Sequence, residues 1–396
     1  MNIAFCYESV LPERGGCETY ITDLARRLLS EGHQVHLYAS RWDETRMPDG
    51  VQYHRIPRVS GPRFLRPWKF AARCEKALAS NVHDVSIGFN KTWGQDILYP
   101  QGGLHAASFE HNLRKYPQEW MRYLVRVLKG GDLAHRSFTR LEQKQYLACP
   151  PTAIVVNSFM VRRHFHEHYG IQPEQLHVIR SAIDPNRFCE TDRPRRRLEW
   201  RSRWNIPANE TVGLFAAMNY RLKGLVPLLH SVATLFNTPE YQPRAREFRL
   251  VVAGHPNHRR YLRMAQRLGI ADKVTFVGHC GEMREAYFAA DFLIHPTFYD
   301  PCSLVALEAL ACALPVVTTR YNGASELLEQ GQNGYVVDDP HNHSQLAWSM
   351  AQLLDPEHRN RCASAARKTG NSWTFDHHYQ QLRQLFEQIA AKKAAA

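Results

Sequence analysis

Short apolar runs separated by longer amphipathic stretches recur along most of the chain. Asn2–Tyr7 reads as a buried first strand. It is followed by a glycine-rich turn over Pro12–Gly16, an amphipathic helix from about Glu18 to Ser30 that Gly32 and His33 end, and a second strand at Val35–Ala39. Strand-like runs return at Val85–Phe89 and Ile154–Asn157, with basic helical material between them. A second series begins after the arginine-rich stretch 193–203, at Val212–Ala217, Phe248–Ala253, Val274–Val277, Phe292–His295, Pro315–Thr318 and Gly334–Val337. Strands separated by helices of this length imply parallel sheets covered on both faces. The pattern therefore predicts an α/β chain of two Rossmann-like domains with mostly parallel sheets facing across a cleft, and ligands at the carboxyl ends of the strands. The domains are expected over 1–190 and 191–373, and a helical run over 374–390 follows Ser372-Trp-Thr-Phe375.

Length agrees with this division, because 396 residues exceed what one hydrophobic core usually supports. The nine cysteines are odd in number, scattered and without a C-x-x-C pair, which argues for a reducing compartment and against a disulfide framework or zinc site. The start of the chain has no basic, then apolar, leader pattern, and no run of about 18 apolar residues occurs. A cytoplasmic protein without a membrane span is expected.

The formal charge of +12 changes the picture, since it implies an anionic partner: nucleic acid, a membrane face or a phosphorylated substrate. Basic residues interleave with aromatics in Pro62–Phe70 and again in Arg114–Lys129. Such segments suit the headgroup zone of an anionic bilayer, on the inner face of the cytoplasmic membrane. Equally, Trp120, Leu124 and Leu128 fit a core stripe at helical spacing. The six arginines of 193–203 are expected on a solvated helix between domains rather than on a polyanion site.

The densest candidate chemistry lies in Phe298–Thr319. Asp300 and Glu308 stand eight apart, and if Ser303 opens a helix, Glu308 lies within it while Asp300 overhangs its start. The amides of Ser303, Leu304 and Val305 would then face outward as an anion site, with Glu308 free to grip the hydroxyls of a ribose. The plainer reading makes Asp300 a turn residue and Glu308 part of a solvated face.

This segment resembles the E-x7-E signature of the retaining glycosyltransferases of family 4, with Asp300 for the first Glu, Ser303 for a Gly and Ala313 for a later Gly. The resemblance implies a GT-B fold and a retaining, metal-independent hexosyltransferase. In it, Gly15 and Gly16 lie beside the donor diphosphate, Lys223 and Arg221 neutralise it with the Ser303, Leu304 and Val305 amides, Glu308 holds the ribose, and Asp300 holds the sugar. The family's G-R-x-x-x-x-K-G matches at Lys223 and Gly224, but its Gly and Arg fall on Ala217 and Met218, so Arg221 is the substitute cation. His105, in Tyr99–Ala107, is the candidate for the family's histidine near the reacting sugar. Within the family, Val85–Lys91 and the basic helices after it are most similar to the bacterial glucosyltransferases that extend the lipopolysaccharide core. That likeness implies UDP-glucose as donor and a membrane-held saccharide or glycolipid as acceptor.

The chain contains no D-x-D pair, which favours stabilisation of the leaving group by cations and amides over a divalent ion, and no cofactor beyond the nucleotide sugar is expected. His164, His166 and His168 read as surface or basic-helix residues rather than a metal site. Two other classes stay open: a sugar-nucleotide epimerase or phosphorylase of the same double-Rossmann build, and a nucleic-acid-binding protein. For the last, no recognisable RNA- or DNA-binding motif is present, and nucleic acid is not expected as a partner.

Overall fold

The computed structural model describes residues 1–11, 16–188, 192–255 and 257–395. It divides into two compact units. One comprises Met1–Leu113, Gln118–Arg180 and His377–Ala396, and the other comprises Arg114–Pro117 with Ser181–Asp376. The excursion of Arg114–Pro117 into the second unit leaves no trace in the hydrophobic pattern.

The first unit is built on a seven-stranded parallel sheet: β1 (Asn2–Cys6), β2 (Gln34–Ala39), β3 (Gln52–Arg55), β4 (Val85–Phe89), β5 (Ile97–Tyr99), β6 (Ala153–Val156) and β7 (Leu176–Val178), in the order β3-β2-β1-β4-β5-β6-β7. Its helices are α1 (Gly16–Ser30), α2 (Arg66–Ala79), α3 (His105–Leu113), α4 (Glu119–Gly130), α5 (Leu133–Gln143) and α6 (Phe159–Tyr169). The inner strands β1, β4 and β6 are buried on both faces, so each reads as a continuous apolar run, whereas the edge strand β3 is polar and at least partly exposed throughout.

In the second unit α7 (Arg193–Arg203) precedes a six-stranded parallel sheet. Its strands are β8 (Thr211–Ala217), β9 (Phe248–Gly254), β10 (Val274–Gly278), β11 (Phe292–His295), β12 (Val316–Thr319) and β13 (Gly334–Val337), ordered β10-β9-β8-β11-β12-β13. The helices that matter here are α8 (Leu225–Asn237), α9 (Met283–Ala289) and α10 (Leu304–Ala311). The last helix, α11 (Phe375–Ala394), buries His378, Leu382, Phe386 and Ile389, and from His377 onward it belongs to the first unit. There Tyr20 Oη meets His378 Nε2 at 2.6 Å.

Both sheets carry the doubly wound strand order, in which the first strand's neighbours run outward in opposite directions. The switch point therefore falls between β1 and β4 in one unit and between β8 and β11 in the other. The loops that leave those strands' carboxyl ends are the ones available to ligands.

Three sequence expectations are corrected here. The two basic-aromatic segments differ. Phe70 of α2 is buried beside Ala4, Tyr38 and Cys74, whereas α4 buries none of its residues and leaves Trp120, Leu124 and Leu128 exposed. The arginine-rich helix α7 is solvated on only one face. Arg201 is 3% exposed and donates to the Ala289, Ala208 and Glu210 carbonyls and to Asp291, and Arg197 donates to Phe288, Ala289 and Ala290 carbonyls and Asp291. The pair thus caps the carboxyl end of α9, satisfying carbonyls a helix end leaves open. His164 is buried rather than on the surface, its ring 5.3 Å from that of His111.

Candidate active site

In the second unit the loop leaving β8 carries Lys223 and the loop leaving β11 carries Asp300, so the doubly wound topology itself brings them together. Lys223 Nζ lies 2.5 Å from Asp300 Oδ2 and 3.2 Å from the Tyr299 carbonyl. Gly224 makes this approach possible. It has φ +84, and a Cβ there would sit 2.0 Å from the Pro296 carbonyl oxygen, so only glycine lets the β8 loop close against the end of β11. The loops are tied further by Phe298 N to the Leu222 carbonyl at 2.9 Å.

Asp300 is held on every side. Its amide donates to the Tyr321 carbonyl at 2.9 Å, and its own carbonyl accepts from Gly323 N at 2.8 Å. Burial, the largest single influence, would raise the carboxyl's pKa, but the Lys223 ammonium and the neighbouring His295 together outweigh it and hold the group well below the usual carboxylate range. His295, fully buried at the end of β11, lies 3.4 Å from the same carboxylate oxygen, too poorly aligned for a hydrogen bond. Burial lowers its pKa, so the ring stays neutral.

Ser303 caps α10, its Oγ accepting from Ala306 N at 3.4 Å. The Ser303 amide, expected to face a ligand, donates instead to Asn322 Oδ1 at 3.1 Å. That corrects its role: Ser303 shapes the helix start and leaves the amides of Leu304 and Val305, which have no partner among the described residues. Glu308 follows one turn later. Its Oε2 accepts the Tyr287 phenol of α9 at 2.5 Å, and burial lifts its pKa to about 7. Arg221 is exposed, with its guanidinium 4.9 Å over the Tyr116 ring. Sequence reasoning missed His295, Asn322 and Tyr287. The Asn322-Gly323 pair reads only as a turn, and nothing marks a buried Tyr as a carboxylate partner.

The first unit has, at its own switch point, a cavity of about 450 Å3 lined in part by Tyr7, Asn90, Lys91, His105, Phe138 and Gln145. His105 begins α3. The carboxylate of Glu142 accepts from the His105 amide and, at 3.1 Å, from the Ala106 amide, and the Tyr169 phenol donates to it at 2.7 Å. A buried carboxylate thus satisfies the open amides of α3 and fixes where His105 stands. Burial, then the neighbouring His135 and Lys91, push the His105 imidazole down to about 4, so it is neutral near pH 7. Its Nε2 meets His135 Nδ1 at 3.1 Å. Lys91 Nζ sits 3.5 Å over the Phe138 ring. Gly16 is the exposed first residue of α1, and Gly15 lies outside the described residues. Among the described residues no group of three His, Cys, Asp or Glu side chains is arranged to hold a metal ion.

Residues 196–369 match the family described as Glycosyl transferases group 1, and residues 14–187 match Glycosyltransferase Family 4. The D-inositol 3-phosphate glycosyltransferase of Streptomyces bingchenggensis is 31% identical over 389 residues, covering 92% of this chain and 82% of that protein. The chain belongs to the family 4 glycosyltransferases. Among other members, the lipopolysaccharide glucosyltransferase WaaG of Escherichia coli K12 is 24% identical over 346 residues, 87% of each chain. The crystal structure of WaaG, at 22% identity, superposes with a TM-score of 0.76 over 98% of this chain and 99% of that one. Anabaena HepE in complex with UDP-glucose does so with a TM-score of 0.68 at 17% identity, over the full length of both. The shared fold is GT-B. Membership of this family favours glycosyl transfer over the epimerase and phosphorylase readings that the double-Rossmann build left open.

Proposed function

We propose that the protein is a retaining, metal-independent hexosyltransferase that moves glucose from UDP-glucose to a lipid-linked or lipopolysaccharide-core saccharide. The observation that carries this reading is the Lys223–Asp300 pair at the switch point of the second unit, beside the two partnerless amides of α10. An ammonium has three donors, and the Tyr299 carbonyl and Asp300 use two of them, so the third is available to a diphosphate oxygen. Lys223, Arg221 and the Leu304 and Val305 amides hold the diphosphate, Glu308 the ribose, and Asp300 the hydroxyls of the sugar. As the bond from the sugar C1 to the departing phosphate oxygen breaks, negative charge grows on the diphosphate, where a fixed cation lowers the barrier most. The acceptor hydroxyl forms the new bond to C1 on the same face and gives its proton to the departing oxygen, so no enzymatic nucleophile takes part. The cavity of the first unit takes the acceptor, with neutral His105 placed to orient its hydroxyl.

The glucosyl donor is supported by two similar proteins: one relative is a lipopolysaccharide glucosyltransferase, and HepE, which shares the fold, was crystallised with UDP-glucose. The acceptor is supported by α4, whose exposed Trp120, Leu124, Val127 and Leu128 share a helix with Arg122, Arg126 and Lys129. An apolar face flanked by cations suits peripheral contact with an anionic bilayer. Among the described residues no helix is long and apolar enough to cross a membrane.

A thermal-shift comparison of UDP-, GDP- and ADP-sugars tests the donor, because a ligand of the native form raises its apparent stability. UDP-glucose is expected to give the largest shift, and turnover is expected to survive a chelator. Products from UDP-glucose and a lipopolysaccharide-core acceptor, identified by mass spectrometry and anomeric NMR, should keep the donor's anomeric configuration. Inverted product, or loss of activity on chelation, overturns that part of the reading. Flotation with anionic and zwitterionic vesicles tests α4, and replacing Trp120, Leu124 and Leu128 by Gln should abolish binding to the anionic set.

A further inference from the structure

Between α3 and α4 the chain leaves the first unit for four residues, Arg114–Pro117, and packs as part of the second. There it meets both arms of the loop system that carries Lys223 and Asp300. On the acidic side, Arg114 Nη1 donates to Tyr321 Oη at 3.1 Å, with the guanidinium 4.8 Å from that ring's centroid. The Arg114 carbonyl accepts from His341 Nε2 at 2.8 Å, which fixes the backbone of the strap as well as its side chain. Tyr321 is 6% exposed and its carbonyl receives the Asp300 amide; the next residue, Asn322, receives the Ser303 amide. Arg114 is thus one residue removed from both groups that set the acid and the start of α10. On the cationic side, the ring of Tyr116 lies under the guanidinium of Arg221.

We infer that this strap is a positioning element of the donor site. Arg114, through Tyr321, holds Asp300 and the α10 start in place, and Tyr116 provides the platform that keeps Arg221, an otherwise exposed side chain, in a single orientation. The inference rests on the donor-site reading given above. Asp300 is assigned to the sugar and Arg221 to the diphosphate, so the two strap residues act on different ends of the donor. Loss of the Arg114 contact disturbs the sugar end, and loss of the Tyr116 ring disturbs the diphosphate end.

The test uses the full-length protein, with UDP binding measured by calorimetry and UDP-glucose turnover measured at saturation. Arg114→Ala is expected to lower kcat about tenfold, the equivalent of one transition-state contact, while UDP affinity stays within about twofold. Arg114→Lys keeps the charge but not the planar fork on Tyr321, and should recover only part of the loss. Tyr116→Ala should weaken UDP binding about threefold, the lower range of an exposed cation–π contact, and Tyr116→Phe should restore it. If Arg114→Ala does not fold, Tyr321→Phe carries the same prediction on kcat, and Arg114→Lys a smaller loss in the same direction. Wild-type kcat and UDP affinity in the Ala variants overturn the inference. So does an equal loss of UDP affinity and turnover in both, because a merely structural strap gives no separation between the two ends. Failure of the wild-type protein to bind UDP at all overturns the donor-site reading instead, and is seen before any variant is made.

Discussion

Asp300 and Glu308 belong to one loop-and-helix unit, yet their surroundings drive their acidity in opposite directions. Asp300 faces an ammonium at 2.5 Å and stays ionised although it is mostly buried. Glu308 is also buried, but its direct partner is the neutral Tyr287 phenol, and its pKa rises to about 7. The difference shows that the acidic motif is not a pair of equivalent carboxylates. A permanently charged carboxylate paired with a cation can only accept hydrogen bonds. A carboxyl poised near neutrality suits hydrogen bonding to hydroxyls, which it can do as donor or acceptor.

The largest test of that contrast removes the cation. Lys223→Ala leaves the Asp300 carboxylate buried without its counter-charge, and breaking such a pair costs about 3–5 kcal/mol. Chemical denaturation should show that loss, and turnover should fall at least tenfold, about 1.4 kcal/mol of transition-state stabilisation. Adding Asp300→Asn to Lys223→Ala should return most of the stability and none of the activity. If the double variant is as unstable as the single one, the contrast between the two acids does not originate in Lys223.

Next in size is the dependence on pH, where the two acids carry opposite signs. Asp300 has a lowered pKa, so its contribution is present above the ordinary value of 3.8 and is lost as pH falls below it. Glu308 is raised from 4.5 to about 7, so its contribution is complete below 4.5 and is lost as pH climbs to about 7, with no further change above. At about 1.4 kcal/mol per pH unit, that slope amounts to roughly 3 kcal/mol. Glu308→Gln keeps a partner for Tyr287 but cannot ionise, so the fall in stability between pH 4.5 and 7 should vanish from its denaturation curves. A wild-type slope in the variant would assign the titration to another group. Glu308→Ala should raise the donor KM and lower turnover together.

A smaller effect isolates the phenol. The Tyr287 hydroxyl lowers the pKa of Glu308, against burial that raises it. Tyr287→Phe therefore should move the upper end of the Glu308 titration to higher pH and cost about 1 kcal/mol, the net worth of one hydrogen bond. Asp300 is untouched by this change, so the acid limb of the stability profile should not move.

Much of this arrangement was legible in the chain, and the illegible part has a common cause. The strands of the second unit fall on the expected apolar runs because a sheet buried on both faces writes its whole length in apolar residues. The start of α10 is marked by Ser303, whose hydroxyl does the capping that the residue type suggests. What a sequence does not carry is which long-range neighbour a polar group meets. Tyr287 and Glu308 are partners across 21 residues, Arg114 and Tyr321 across 207, and neither pair has a periodic signature. The same limit explains the two basic-aromatic segments. Phe70 and Trp120 both sit at helical spacing among arginines, and only the presence of β1 and β2 beneath α2 decides that Phe70 is covered and Trp120 is not. It also explains α7, where two of the arginines that look solvated, Arg197 and Arg201, meet the open carbonyls of α9.

The smallest prediction concerns the end of α10, one turn beyond Glu308. Ala313, which stands where the family pattern has glycine, adopts φ +56, a left-handed conformation that costs a side chain with a Cβ about 1 kcal/mol or more. Three backbone bonds hold it there: Cys312 N to the Glu308 carbonyl, Ala313 N to the Leu310 carbonyl and Leu314 N to the Ala309 carbonyl. Ala313→Gly relieves the strain but gives the unfolded chain more freedom to lose, so the net gain should be about 0.5–1 kcal/mol. Because the helix is not displaced, the variant should melt later while both limbs of its pH profile stay those of the parent. A shift in the Glu308 limb would mean that the strained turn helps set the environment of that acid, and the difference between the two carboxyls would then depend on the backbone as well as on Lys223 and Tyr287.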